Sequence, residues 1–570
     1  MDKKHMFEIK DRDGLARLGV LRIGERQVDT PLLMPVINPN ISMIKASDMK
    51  EMGCEMVITN AYILKKSGIE RDVHDVLGFD GPVMTDSGTF QSHVYGGIEF
   101  SNEEMLSFQQ EIGSDVNTIV DEFVEPGDSY EVAERKTMET ISRAKSAYNT
   151  RKTLALPVQG GLYRDLRKKC AKAYYNYEAL FPIGGVVPLM ESQRYEELID
   201  VVLTCKRYLN PSMPAHLFGC GHPMLFAIAS LFGCDLFDSA AYSKFAAEDR
   251  FMFENGTISL SAISEDICSC PVCSKHGIEK IKSMEKTERV KLIAEHNLRT
   301  SFQEIRRVRN AIKNGRIWEL AEIRARGNPA LLYGFNAIKK YKKLLEHYEP
   351  LSRKSSLGTG AESFYRPMVT RAVKRSKDCY ISGFYHQSFV PCPAELRYTY
   401  PFGQAIMPYT KSAKAMENLR KGEPGDEETI RAIARMQFGA DAERALLNGE
   451  LTFVKSRKNN RIRNVMCDGE HILSLRAEDG YFTLKPEGGR KLLDLPYPRM
   501  RVVVNRDSED PVREGKNVFA KFVVDADDKT IIGNEVVVVN EKDELLAIGR
   551  ALMVREEMLA FKRGIAIKIR

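Results

Sequence analysis

Residues 83–91 read Val83-Met84-Thr85-Asp86-Ser87-Gly88-Thr89-Phe90-Gln91. A short apolar run ends on a carboxylate with a glycine two residues later. A helical stretch follows, opened by the capping box Ser101-x-x-Glu104 and closed on Gly113. The same grammar recurs between residues 27 and 241. Its apolar runs are 31–37, 56–59, 83–85, 118–120, 154–158, 183–187, 215–218 and 236–237. Stretches 128–148 and 222–232 also read as helices, the second with Pro223 in its first turn and Gly233 just past its end. Runs that are apolar on both faces and alternate with helices belong to a parallel sheet. Eight such units predict an α/β fold, a (β/α)8 barrel of the TIM type, with an open doubly wound sheet as the runner-up. No GxGxxG follows the first run, which weakens the dinucleotide-binding version.

The chain is 570 residues long, which predicts several domains. Hydrophobic residues make up 43% and charged residues 28%, the balance of a folded globular protein. No apolar run approaches the ~20 residues that span a bilayer. Met1-Asp2-Lys3-Lys4-His5 leads into no apolar signal core, so a cytoplasmic protein without a membrane partner is expected. Lys and Arg number 84 against 78 Asp and Glu, and a formal charge of +6 is too small to argue for nucleic acid by itself. Eight of the 11 cysteines are scattered singly, as buried reduced thiols are, while Cys268, Cys270 and Cys273 are bunched.

In a barrel of this kind chemistry belongs at the C-terminal ends of the strands. Those ends carry Asn60, Asp86, Asp121, Gln159 and Asp238, with glycines at 160, 161, 184, 185, 219 and 221. Any one of these aspartates reads as a helix N-cap or a turn residue. Three on separate strands, beside glycines that let backbone approach a ligand, point to a site. Cys268-x-Cys270-x-x-Cys273 with His296 in a later helical stretch supplies three thiolates and an imidazole. That set forms a closed tetrahedral shell, which predicts one structural Zn2+ per chain. His276 is nearer in sequence and is a rival fourth ligand.

Residues 85–91, Val158-Gln159-Gly160-Gly161, Gly184-Gly185-Val186-Val187 and Phe237-Asp238-Ser239 together resemble the signature segments of the tRNA-guanine transglycosylases. The resemblance runs in order over roughly the first 345 residues. It implies an enzyme, a pentosyltransferase that swaps a guanine in tRNA for a free 7-deazaguanine base. By this resemblance Asp238 is the nucleophile and Asp86 the general acid/base, though sequence leaves the reverse assignment open. Asp121 reads the base, since a carboxylate accepts two adjacent N–H donors. Ser87, Gln159 and the backbone of Gly184, Gly185, Val186 and Val187 complete the recognition. Phe90 suits stacking on the base and ordinary core packing equally well. The later histidine of the family's zinc site favours His296 over His276, and the family also implies a homodimer near the zinc region.

Beyond the barrel, expected to end near 350 with a zinc-binding insertion at about 262–300, three further domains are expected at 361–423, 424–495 and 496–570. Residues 353–360 read as a linker and 427–447 as one helix. Basic residues crowd 306–326, 366–377 and 455–463, which makes them candidate phosphate contacts. The last segment has short β runs at 501–504, 518–524, 535–540, 546–554 and 564–569 and resembles a PUA domain, an RNA-binding β-barrel. Its 14 Lys and Arg against 13 Asp and Glu give it no broad positive charge. A barrel followed by these additions looks like the archaeal branch, which exchanges guanine 15 of the tRNA D-arm for 7-cyano-7-deazaguanine in archaeosine synthesis. The rival readings are a catalytically inactive paralogue or RNA-binding subunit, an anticodon-specific transglycosylase, and a zinc hydrolase on the same barrel.

Overall fold

A computed structural model describes residues 6–41, 43–89, 100–148, 153–377, 392–406 and 424–570. The chain divides into two compact units, residues 1–337 and 338–570.

The first unit opens with an antiparallel sheet of β1 (Phe7–Asp13), β2 (Ala16–Ile23) and β3 (Arg26–Thr30). Eight parallel strands follow: β4 (Leu32–Ile37), β5 (Val57–Asn60), β6 (Val83–Asp86), β7 (Val116–Thr118), β8 (Thr153–Ala155), β9 (Phe181–Ile183), β10 (Ala215–Leu217) and β11 (Leu236–Ser239). β4 pairs with both β5 and β11. Single parallel bridges, Ala155 to Leu180 and Val158 to Ile183, join β8 to β9 and complete the ring. The barrel is the predicted architecture, although several strands lie earlier than their apolar runs suggest. β7 ends at Thr118 and β9 at Ile183, so residues 119–121 and 184–186 belong to the loops that follow, and Val187 opens the helix Val187–Glu191.

Side chains lock these short strands. Gln109, on the helix Asn102–Glu111, accepts from Thr85 Oγ1 at 2.7 Å and from Thr118 N at 2.9 Å, and donates to Thr118 O at 2.9 Å. One buried amide thereby ties a helix to the two strands that lead into Asp86 and Asp121. At the opposite end of the barrel, buried Arg17 of β2 binds the Asp235 carboxylate at 2.5 and 3.0 Å and the carbonyls of Pro211 and Met213. The antiparallel sheet therefore closes the N-terminal end of β10 and β11 and leaves the C-terminal mouth open.

The hairpin β12 (Arg250–Phe253) and β13 (Gly256–Ser259) leads into the cysteine cluster, and the helix Lys286–Lys313 follows. Asn297 on that helix accepts from Met252 N and donates to the carbonyls of Tyr242 and Arg250. The crowded arginines at 306–326 are largely engaged within the protein, against the expectation of phosphate contacts. Arg309 binds Glu55 and the carbonyls of Asp29 and Pro31, Arg324 is buried against Glu304, and Arg307 faces Glu254 and Glu304.

The second unit contains a four-stranded antiparallel sheet, β16 to β19 (Leu451–Lys455, Ile462–Cys467, Glu470–Leu475, Phe482–Leu484), after the short pair β14 (Ser356–Leu357) and β15 (Ala405–Ile406). A six-stranded sheet of residues 501–569 follows, and a continuous core runs through residues of both sheets. Three sequence expectations differ here. Residues 353–360 are no free linker, because Arg353 is buried on Glu349 and Ser356 lies in β14. The helix at 427–447 is two, Asp426–Phe438 and Ala440–Leu446, broken at Gly439 with φ 98°, a conformation other residues resist. The β run at 518–524 is interrupted by a 3-10 turn at Ala520–Phe522. In the second basic block Arg366, Arg371 and Arg375 cap backbone carbonyls. By contrast Arg457, Lys458 and Arg463 are exposed and make no ion pair among the described residues.

Candidate active site

A cavity of about 970 Å3 opens at the C-terminal end of the barrel. Asp86, Asp121, Gln159, Gly184, Gly185, Val187 and Asp238, all singled out from the sequence, line it. Ser87 and Val186 do not. Both are buried just behind the wall, and the Ser87 hydroxyl meets Thr89 Oγ1 at 3.2 Å. Phe90 lies outside the described residues.

Asp86 ends β6 in register with Asn60 of β5. The Asn60 amide is oriented by its own helix. Its Oδ1 accepts from Ile63 N at 2.9 Å as an N-cap, which turns Nδ2 toward Asp86 Oδ2 at 3.4 Å. Burial, with the nearby charges of Asp121 and Asp238, pushes the Asp86 carboxyl up to about 7, against the pull of the Gly88 and Ser87 backbone N–H groups. Asp86 can therefore hold a proton near neutral pH.

Asp121 lies in the loop after β7 and accepts from Gln159 Nε2 at 2.5 Å. Burial raises its pKa, opposed by hydrogen bonds from Gln159 and Thr89. Gln159 is held in turn against Gly184. A Cβ at Gly184 would stand 2.5 Å from Gln159 Nε2 and 3.5 Å from Asp121 Oδ2, so only glycine lets this wall close. Arg167, buried below, donates to Gly161 O at 2.9 Å and Val158 O at 2.5 Å and fixes the loop that presents Gln159.

Asp238, on β11, accepts from Gly219 N and bonds His216 Nε2, both at 2.8 Å and both at Oδ1. Sequence reasoning missed His216, counting residues 215–218 as one apolar run. The available signal was a lone imidazole in a strand buried on both faces. His222 was also missed. It lines the rim, its Nδ1 accepts from Met224 N at the head of the helix Pro223–Leu231, and burial lowers its pKa to about 4.

The four predicted metal ligands converge apart from this cavity. Their donor atoms all lie within 4.8 Å of one another, and the three Sγ atoms stand 3.4–3.6 Å from His296 Nδ1. A tetrahedral Zn2+ with ordinary bond lengths requires an S···N edge of about 3.6 Å. His296 Nε2 contacts Met252 O at 3.0 Å, which places its proton there and leaves the Nδ1 lone pair toward the thiolates. These residues fit a metal ion. His276, the rival, lies outside the cluster with its buried Nδ1 unpartnered.

Residues 11–330 match the family described as queuine tRNA-ribosyltransferase. Residues 428–498 match the patch-forming domain C2 of tRNA-guanine transglycosylase, and 500–570 match the PUA domain. Among curated proteins, tRNA-guanine(15) transglycosylases align over nearly the whole chain. That of Thermococcus kodakarensis is 42% identical over 99% of this chain and 98% of its own length. That of Pyrococcus furiosus is 41% identical over 100% and 98%, and that of Methanocaldococcus jannaschii 37% over 99% and 99%. No helix among the described residues is long and apolar enough to cross a membrane.

Proposed function

The chain belongs to the tRNA-guanine transglycosylases, and from that premise we propose that it exchanges guanine 15 of the tRNA D-arm for 7-cyano-7-deazaguanine, the step that leads toward archaeosine. The observation that carries the reading is the meeting of Asp86, Asp121 and Asp238 at one barrel mouth beside Gln159 and the Gly184–Gly185 backbone. The named relatives are position-15 enzymes and align end to end, which supports the same nucleotide here.

The target base enters flipped out of the folded RNA. Asp121 accepts its ring N–H and amino donors. The Asp238 carboxylate attacks the anomeric carbon as the glycosidic bond breaks, and the departing guanine takes a proton from Asp86. The incoming base returns a proton to Asp86 and displaces Asp238, so the sugar keeps its configuration through two inversions. The elevated Asp86 pKa supports it as the proton carrier, and the two donors that hold Asp238 Oδ1 support Asp238 as the nucleophile. Val187 lines the cavity where a charged partner would suit an aminomethyl group, and an apolar wall there favours the neutral nitrile.

The Cys268, Cys270, Cys273 and His296 shell takes one Zn2+, which supplies structure, since a closed shell leaves no position for water or substrate. Phosphates of the tRNA meet the exposed hairpin cations Arg457, Lys458 and Arg463 and the PUA domain. The protein works in the cytoplasm as a homodimer, and Ile267, exposed beside the cysteines, gives an apolar contact near the metal region.

The test is release of labelled guanine from tRNA in the presence of 7-cyano-7-deazaguanine, with mapping of the exchanged nucleotide. Exchange at guanine 15 that is lost in Asp86→Ala and Asp238→Ala is the expected result. Full activity in both variants overturns the mechanism, and exchange at an anticodon position overturns the assigned nucleotide.

A further inference from the structure

Asp238 has company that the reaction outlined above leaves unexplained. His216 is wholly buried on β10, in register with Leu236 of β11, two residues before Asp238. Side chains two apart on a strand share a face, so His216 and Asp238 both point into the barrel. The imidazole Nε2 and the Gly219 N–H each lie 2.8 Å from Asp238 Oδ1, while Oδ2 takes no hydrogen bond among the described residues.

The other ring nitrogen identifies the tautomer. His216 Nδ1 is buried without a hydrogen-bond partner. The Asp238 carboxylate accepts, and a proton on Nδ1 would find no acceptor among the described residues, so the proton belongs on Nε2 and the ring donates to Asp238. Leaving Nδ1 bare costs stability that an apolar side chain at position 216 would not. The edge-on ring contact with Phe218, at 4.7 Å, would be available to any aromatic residue. Nothing in the packing calls for a histidine, whereas the hydrogen bond to Asp238 does.

We propose that His216 is a positioning residue: with the Gly219 N–H it clamps Asp238 Oδ1, fixes the carboxylate's rotation and presents Oδ2 to the anomeric carbon. The inference rests on Asp238 being the nucleophile. The C1′–Oδ2 bond forms as the bond from C1′ to the base nitrogen breaks, and that electron pair leaves with guanine, which takes the Asp86 proton. In the second half the incoming base loses its proton to Asp86 and its nitrogen attacks C1′, returning the electron pair to Oδ2. A neutral donor suits this cycle. It orients the carboxylate without supplying a full opposite charge that would be left unpaired when Asp238 becomes an ester.

The experiment compares His216→Leu, which removes the donor, His216→Gln, whose amide nitrogen reaches about the Nε2 position, and His216→Asn, whose amide stops near Nδ1. Each full-length variant is assayed with tRNA transcript for kcat, for KM of tRNA and base, and for the denaturant-resistant RNA–protein adduct formed without incoming base. Melting curves are run beside them. His216→Leu and His216→Asn are expected to lose about tenfold or more in kcat and to form adduct correspondingly slowly, with both KM values within about twofold. His216→Gln is expected to recover most of the rate. Equal rates in the Gln and Asn variants, or a folded Leu variant with wild-type kcat, overturn the proposal. Should the Leu variant not fold, the Gln and Asn pair still decides. Failure of the underlying reading is separate, because Asp238→Ala would then form adduct or exchange guanine like the wild type.

Discussion

Asp86 carries two opposed expectations at the scale of the single residue. Its folded pKa of about 7 lies above the ordinary carboxyl value, so the native state binds its proton more tightly than the unfolded chain. The resulting stability is complete in acid and is lost as pH rises toward and through about 7. Melting curves between about pH 5 and pH 8 should show Asp86→Asn losing less Tm than the wild type. Adduct formation by the wild type should fall above about pH 7, as Asp86 loses the proton that guanine needs. Gly184→Ala tests the base wall: its Cβ would meet Gln159 Nε2 at 2.5 Å. Guanine-exchange kinetics should show KM for the incoming base rising about tenfold or more while the protein stays folded. Much at this scale was legible in sequence. Asp86, Asp121, Asp238 and Gln159 were recognisable from local motifs at strand ends. His216 was not, because its importance comes from strand register, which brings together residues 22 positions apart; Asn60 was legible as a strand end, but its contact with Asp86, 26 positions on, was not.

Among the elements, the helix Lys286–Lys313 is anchored by adjacent residues, His296 toward the cysteines and Asn297 toward Met252, Tyr242 and Arg250. Chelation or His296→Ala should lower Tm and loosen residues 250–276 in hydrogen exchange, while the remaining folded fraction still forms adduct. Retained stability with full loss of chemistry would contradict a purely structural metal. The sequence pattern located strands, but it placed the ends of β7 and β9 too late. Apolar loop residues such as Val120 and Val186 extend each run past the last ladder bond, and composition does not register where pairing stops. The basic run at 306–326 is less free than its charge count suggests, for a related reason. Charge counts do not reveal that Glu55, Glu254 and Glu304 meet these arginines in space.

At the scale of the whole molecule, each unit has buried residues of its own. The exposed cations at 457, 458 and 463 belong to the second. Replacing Arg457, Lys458 and Arg463 together with Ser should weaken tRNA binding and flatten its dependence on salt, with kcat at saturating tRNA little changed. A filter-binding titration across ionic strengths checks this. The barrel itself should be sensitive at its closed end. Arg17→Met leaves the Asp235 carboxylate buried and unpaired, with an expected cost of about 3–5 kcal/mol in denaturant unfolding.

That same arginine has a bearing on how the chain is made. Arg17 leaves the ribosome 218 positions ahead of its partner, and β4 likewise waits for β11 as its second neighbour. At ordinary translation speeds this delay lasts on the order of 10–40 s. Until residue 239 has emerged, Arg17 lacks its carboxylate and β4 its second neighbour, so the ring cannot close before nearly half of the chain has been made.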